Sequence, residues 1–241
     1  MKNGRSASPM SAVILVGLAL ILLSYAGPAL VSLHTTVLLT EVWQLLRLVG
    51  WILIAVGVIR TGVVRQRAQK VVTAKAAAGL RGELETAREL ARLDASYRVF
   101  NRIYVYHNGR RQEFDHIVVG PNGVFHVESK NWAGVIEVSD HGVHRSVEGG
   151  GHDAAEQMRR HHALLTGLLF DHGLRLPISG ILCFTNRRAE VYGHASTFKY
   201  VRIDELVSSI SAHRGTKHLD KRQVQNVTRL IAKYSESHEV Q

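Results

Sequence analysis

Cysteine is nearly absent: Cys183 is the only one in 241 residues. No intrachain disulfide can form, and a reducing compartment is the simpler setting. Proline is almost as scarce, at four residues, while hydrophobic residues make up 46%. That combination excludes disorder over most of the chain. There is no internal repeat and no ladder of aromatic residues of the kind that stacks single-stranded bases. Gly149-Gly150-Gly151 lacks the lysine and Ser/Thr that complete a phosphate loop, so it reads as a hinge.

Acidic residues are also in short supply. Twenty Asp and Glu face thirty Lys and Arg, giving a formal charge of +10 and a pI near 10.0. After position 59 there remain 27 of the basic and 19 of the acidic residues, a difference of +8. That part is basic in its own right, as expected for a partner carrying phosphates or for an anionic membrane face. Solubility alone is the plainer reading of the same charge.

Apolar residues crowd the first 60 positions. Residues 12–33 carry no formal charge over 22 positions, and a bilayer core needs about 20 in a helix. A cleaved signal peptide is the rival, but the run exceeds a signal core of about 7–15 residues and a second apolar run follows. That second run, 42–59, contains Arg47, which either snorkels or faces the partner helix. Lys2 and Arg5 precede the first run, the connection 34–41 has no Lys or Arg, and Arg60, Arg65, Arg67, Lys70 and Lys75 follow the second. The positive-inside rule then puts both ends in the cytoplasm. The expected organisation is a hairpin anchor over 1–60, a helical linker over 61–78 and a soluble domain over 79–241, on the cytoplasmic side of the cell (inner) membrane.

In the soluble part, apolar spacing predicts a helix over 83–93, with Glu83 in its first turn, where the helix dipole favours a carboxylate. Strands follow at 97–105, 114–119, 124–130 and 134–138, with turns at 107–109 and Pro121-Asn122-Gly123. A helix is predicted over 153–170, a buried strand over 178–184, a short strand over 199–203 and helices over 205–210 and 221–234. Helices interleaved with strands make an α/β or α+β domain around one mixed sheet.

The chemistry concentrates in two neighbouring strands. Glu128 and Lys130 are two apart, so they share a strand face. Asp115 on the preceding strand approaches that face across the ladder. Two carboxylates suit a hard cation such as Mg²⁺, which polarises a phosphate oxygen, and an adjacent amine can orient water or meet developing charge. A surface salt bridge is the plain alternative, worth about 0–1 kcal/mol. His126 shares the Glu128 face and reads as a packed histidine. His161 and His162 are adjacent, so they are not expected to share a helix face. Cys183 reads as a small core residue. Arg187, Arg188, Lys221, Arg222, Arg229 and Lys233 either track a nucleic-acid backbone or line a solvated face.

Three segments carry a resemblance. Gly79-Leu80-Arg81-Gly82-Glu83, Asp115-His116-Ile117-Val118-Val119, and Gly123-Val124-Phe125-His126-Val127-Glu128-Ser129-Lys130-Asn131-Trp132-Ala133-Gly134 occur in the order of the nuclease-related domain family. That family sits in the restriction-endonuclease-like PD-(D/E)xK superfamily. The resemblance implies a mixed sheet flanked by helices, with Asp115 and Glu128 as ligands for Mg²⁺ (or Mn²⁺) and Lys130 as the catalytic lysine. It also implies that Glu83 enters from the first helix and Gln157 from the helix after the hairpin. The expected activity is phosphodiester hydrolysis of DNA or RNA. The alternative is a non-catalytic nucleic-acid-binding or adaptor module tethered to the bilayer through 12–33 and 42–59.

Overall fold

The computed structural model describes residues 9–26, 33–145, 154–215 and 218–237. The hinge expected at 149–151, the helix start at Asp153 and the flanking Lys2 and Arg5 lie outside them. The chain divides into two compact units, Met1–Lys75 and Ala76–Gln241.

In the first unit α1 (Pro9–Ala26) is followed by the greater part of α2, a 58-residue helix over Leu33–Leu90. Residues 34–41, expected as a connection, are helical. So are residues 61–78, and α2 runs on through position 83, where a new helix was expected to begin. The reason is a lack of breakers. No proline occurs between Pro28 and Pro121, and the alanine-rich flanks of Gly79 are strong helix formers. Close contacts join the two helices within this unit. A Cβ at Gly17 would sit 2.8 Å from the Gly50 carbonyl, and one at Gly57 would sit 2.6 Å from Ile14. The Arg47 guanidinium lies 4.8 Å over the Tyr25 ring. Leu15, Leu22, Leu45, Trp51 and Ile59 are among the large apolar side chains left exposed. Within 40–90 the chain has one helix long and apolar enough to cross a membrane, and a shorter apolar helix covers Ser11–Ala26.

Among its described residues the second unit holds nine strands: β1 (Arg98–His107), β2 (Arg110–Gly120), β3 (Gly123–Lys130), β4 (Gly134–Val138), β5 (Val143–Arg145), β6 (Ile178–Phe184), β7 (Ala189–Gly193), β8 (Lys199–Arg202) and β9 (Ser235–Ser237). Its helices are the end of α2, then α3 (Ala154–Asp171), α4 (Leu206–Ser211) and α5 (Lys221–Lys233). The main sheet is mixed, in the order β8-β6-β3-β2-β1-β9. The β2–β3 hairpin is antiparallel, and β6 joins β3 in parallel, as a crossover through α3 requires. The expectation of a single sheet is corrected: β5, β4 and β7 form a second one. β5 and β7 are three and five residues long, too short for a periodic signal.

Helices cover both faces of the main sheet. On one side Leu90 of α2 and Leu206 and Ile210 of α4 pack with Val118, Phe125, Val127, Ile181 and Cys183. On the other, Leu164, Leu165 and Leu168 of α3 and Val224, Val227 and Ile231 of α5 pack with Ile103, Phe114, Ile117, Val119 and Val124. A third cluster joins α3 and β6 to the small sheet through Ala155, Met158, Phe184, Ile136 and Ala189.

The β1–β2 ladder changes phase halfway. Phe114 and Ile117, three apart, enter the same core, and across the ladder Ile103 belongs to that core with Phe100 packed against it. Strict alternation would send each pair to opposite faces. The rungs Asn101↔His116 and Ile103↔Phe114 are formed, and the pair between them, Arg102 and Asp115, is missing from the ladder. Arg102 has φ +50°, the left-handed region, within the strand.

Candidate active site

β3 delivers the two groups that spacing put together. Glu128 is almost fully buried, and Lys130 reaches it at 2.6 Å (Nζ to Oε1). The same Nζ donates to Gln157 Oε1 at 3.1 Å, so α3 supplies the third polar contact. Asp115 sits where the ladder slips. Its carboxylate turns from the strand and accepts the backbone amide of Ser129 at 2.7 Å, between Glu128 and Lys130. Glu83 comes from the final turns of α2 and pairs with Arg102 at 3.1 Å (Oε2 to Nε). Its helix-start explanation fails, since Glu83 lies far from the N-terminal dipole.

Two contacts fix α2 against the end of β3. Asn131 Nδ2 donates to the Ala78 carbonyl at 2.8 Å. A Cβ at Gly82 would fall 2.9 Å from Thr185 Oγ1 and 3.0 Å from Asn131 Cβ, so only glycine lets the helix come this close. The Ser129 hydroxyl donates to Thr86 Oγ1 at 3.0 Å on the same side.

The five residues named from the sequence are therefore neighbours, and their charges act on one another. Burial holds the Asp115 carboxyl well above its ordinary range, and the Glu128 charge adds to it; the Ser129 amide and Lys130 oppose. Burial likewise raises Glu128, against the pull of Lys130 and Gln157. The charge of Glu83 raises both. Three acids thus face two cations, Lys130 and Arg102, in a partly dry site. Such an excess of negative charge is costly unless a further cation shares it.

Residues 78–185 match the family model of the nuclease-related domain. Over that segment the chain is similar to the nuclease-related domain. No curated protein and no solved structure matches the chain.

The matched segment of the nuclease-related domain runs from α2 through β6 and so contains Glu83, Asp115, Glu128, Lys130 and Gln157. Its donors fit a hard divalent cation. The Oε2 atom of Glu128 is buried without a hydrogen-bond partner, and the Asp115 carboxylate is its nearest acidic neighbour on the adjoining strand. Both are oxygen donors, as Mg²⁺ prefers, and Mg²⁺ is commonly held by one or two carboxylates with water. Among the described residues no three of His, Cys, Asp and Glu gather for ligation.

Histidines form one wall of this nuclease-related domain. The His126 ring is 5.9 Å from the rings of both His161 and His162, centroid to centroid. Although His161 and His162 are adjacent on α3 and do not share a helix face, both rings flank His126. His161 Nδ1 lies 3.8 Å from Glu128 Oε2. Burial drives His126 well below its usual pKa and His161 down to about 4, so the wall is uncharged at neutral pH. Burial also pushes the Cys183 thiol up to about 12, as befits a core residue without nucleophilic use. Arg102 was absent from the sequence reading. A left-handed conformation on an arginine has no signature in composition or periodicity, yet it costs on the order of 1–3 kcal/mol and persists where the surroundings enforce it.

Proposed function

We propose that the protein is a membrane-anchored nuclease that hydrolyses phosphodiesters of DNA or RNA with Mg²⁺ or Mn²⁺. The observation that carries the reading is Lys130 Nζ between Glu128 Oε1 and Gln157 Oε1, beside a carboxylate pair held above its usual pKa. The nuclease-related domain supports nuclease-like chemistry and a nucleic-acid partner.

Asp115 and Glu128 would hold the cation, which when bound supplies Lewis acidity towards a phosphate oxygen. Gln157 fixes the Lys130 ammonium by accepting one of its protons at 3.1 Å. The one remaining donor of Lys130 orients the attacking water, and its charge meets the charge that develops as the P–O bond breaks. Glu83 adds negative charge that favours a cation at the site. The histidine wall and the buried faces of β2 and β3 exclude bulk water, which strengthens each of these interactions.

Anchoring draws on the exposed apolar side chains of α1 and α2 and on their lengths. The two helices would cross the bilayer as a hairpin, with the domain on the cytoplasmic side of the cell membrane, following the distribution of Lys and Arg. A second reading, binding of nucleic acid without cleavage, draws on Lys130 already occupying Glu128 Oε1.

The experiment uses the full chain in detergent micelles, with Mg²⁺ and labelled single- and double-stranded DNA and RNA. Cleavage that disappears in Lys130→Ala is expected. Folded wild-type protein that binds but leaves every substrate intact would favour the second reading, and a protein that neither binds nor cuts would sink both.

A further inference from the structure

Arg102 combines three features that no other residue of β1 shares. Its backbone is left-handed inside a strand, at φ +50°. Its rung with Asp115 is the one missing between two formed rungs. Its Nε lies 3.1 Å from Glu83 Oε2, at the edge of the acid cluster, where its side chain is 25% exposed. Among the described residues neither terminal nitrogen of Arg102 hydrogen-bonds to protein; its ion pair with Glu83 is made through Nε. The other left-handed non-glycine residue, Asn108, sits in the β1–β2 turn, where such a conformation is ordinary.

A strained backbone that turns a partly exposed guanidinium towards Glu83, whose charge acts on Asp115 and Glu128, has no stabilising purpose that a less strained residue would not serve better. Glu83 fixes one end of the guanidinium and leaves the planar fork of Nη donors open. That fork matches two oxygens of a phosphate. The acids alone would repel a phosphodiester, so a cation beside them is needed to admit it.

We infer that Arg102 is a substrate-binding residue whose Nη fork clamps a phosphate of the nucleic-acid strand entering the acid cluster. The inference rests on the nuclease-like reading, and it adds a binding residue to that site. Glu83 then has two tasks, orienting Arg102 and adding to the negative charge beside Asp115 and Glu128.

The test measures binding of a fluorescent oligonucleotide to the full chain in detergent, with Ca²⁺ replacing Mg²⁺, over a range of salt. Arg102→Gly removes the fork and also the strain, since glycine takes this φ freely. Its melting temperature is expected to hold or rise, while Kd rises about tenfold and the slope of log Kd against log salt falls by about one. Arg102→Lys keeps the charge and loses the fork; its slope is expected to stay near wild type, with a smaller rise in Kd. Wild-type affinity and slope in Arg102→Gly would overturn the assignment alone, as would a melting temperature that falls in step with binding. Wild-type affinity in Arg102→Lys would reduce the role to bulk charge and overturn the bidentate clamp. Absence of any wild-type binding would overturn the nuclease-like reading and this assignment together.

Discussion

The Asp115 carboxylate accepts the Ser129 amide at 2.7 Å, and Ser129 is the residue between Glu128 and Lys130. The acid of one strand thereby fixes the backbone that carries the other two groups. Asparagine keeps an acceptor oxygen in that place, whereas alanine leaves the amide unpaired in a partly buried site. Asp115→Asn is therefore expected to melt close to wild type. Asp115→Ala should lose about 1–3 kcal/mol of stability, read as a lowered denaturation midpoint. Equal melting of the two variants would show that the hydrogen bond contributes little.

Metal binding should appear as stabilisation of the full chain. Asp115 and Glu128 both have folded pKa values above their ordinary ones, so the folded state holds protons that the unfolded state releases. Stability from these two groups is present at low pH and is lost as pH rises through their folded values. A cation at neutral pH replaces the missing protons. Millimolar Mg²⁺ is expected to raise the melting temperature at pH 7.5, with a smaller rise at pH 5, where protons compete. Glu128→Gln should remove most of the rise. A shift in Glu128→Gln as large as in wild type would assign the ion to another place.

The buried imidazoles act in the opposite direction. His116 is pushed down to about 3 and His161 to about 4, both by burial, while in the unfolded chain each titrates near 6.5. Their contribution is complete above the unfolded value and is lost as pH falls through that value towards the folded ones. Between pH 7 and pH 5 each should withdraw roughly 2 kcal/mol. The measurement is the pH dependence of the unfolding free energy of wild type minus that of His116→Gln. A difference that does not change over this range would mean that His116 titrates in the folded protein as it does in the unfolded chain, with no depression by burial.

Orientation in the membrane can be read chemically because Cys183 is the only cysteine and is buried. Glu41 and Ser211 are exposed positions for new thiols. Glu41→Cys is expected to react with an impermeant maleimide on intact cells, and Ser211→Cys only after permeabilisation. The reverse pattern would place the nuclease-related domain outside the cytoplasm.

Much of the site was readable because it obeys simple periods. Glu128 and Lys130 are two apart on a strand, Pro121-Asn122-Gly123 closes the hairpin, and the leucines of α3 carry Gln157 to the same side. The rest depends on events without a local signal. Glu83 looked like a helix start because the apolar spacing of the soluble part begins there, whereas α2 runs on through it and Gly82 is placed for the approach to Asn131 and Thr185. β7 and β9 owe their extended form to partners distant in sequence, and β5, although it folds back on the adjacent β4, is only three residues long. The slip at Arg102 and Asp115 is set by the sheet around it, so a period-two reading passes over it.

That slip also divides the β1–β2 hairpin into two segments whose side chains alternate independently. Beyond the break, residues 103–114 form an arm that pairs with β9 and packs on α3 and α5. The arm's tip can lengthen, shorten or change sequence without rotating the acids, because any error in phase is absorbed at the joint. A site mounted beside such a joint is free to keep its charges fixed while the neighbouring ribbon varies.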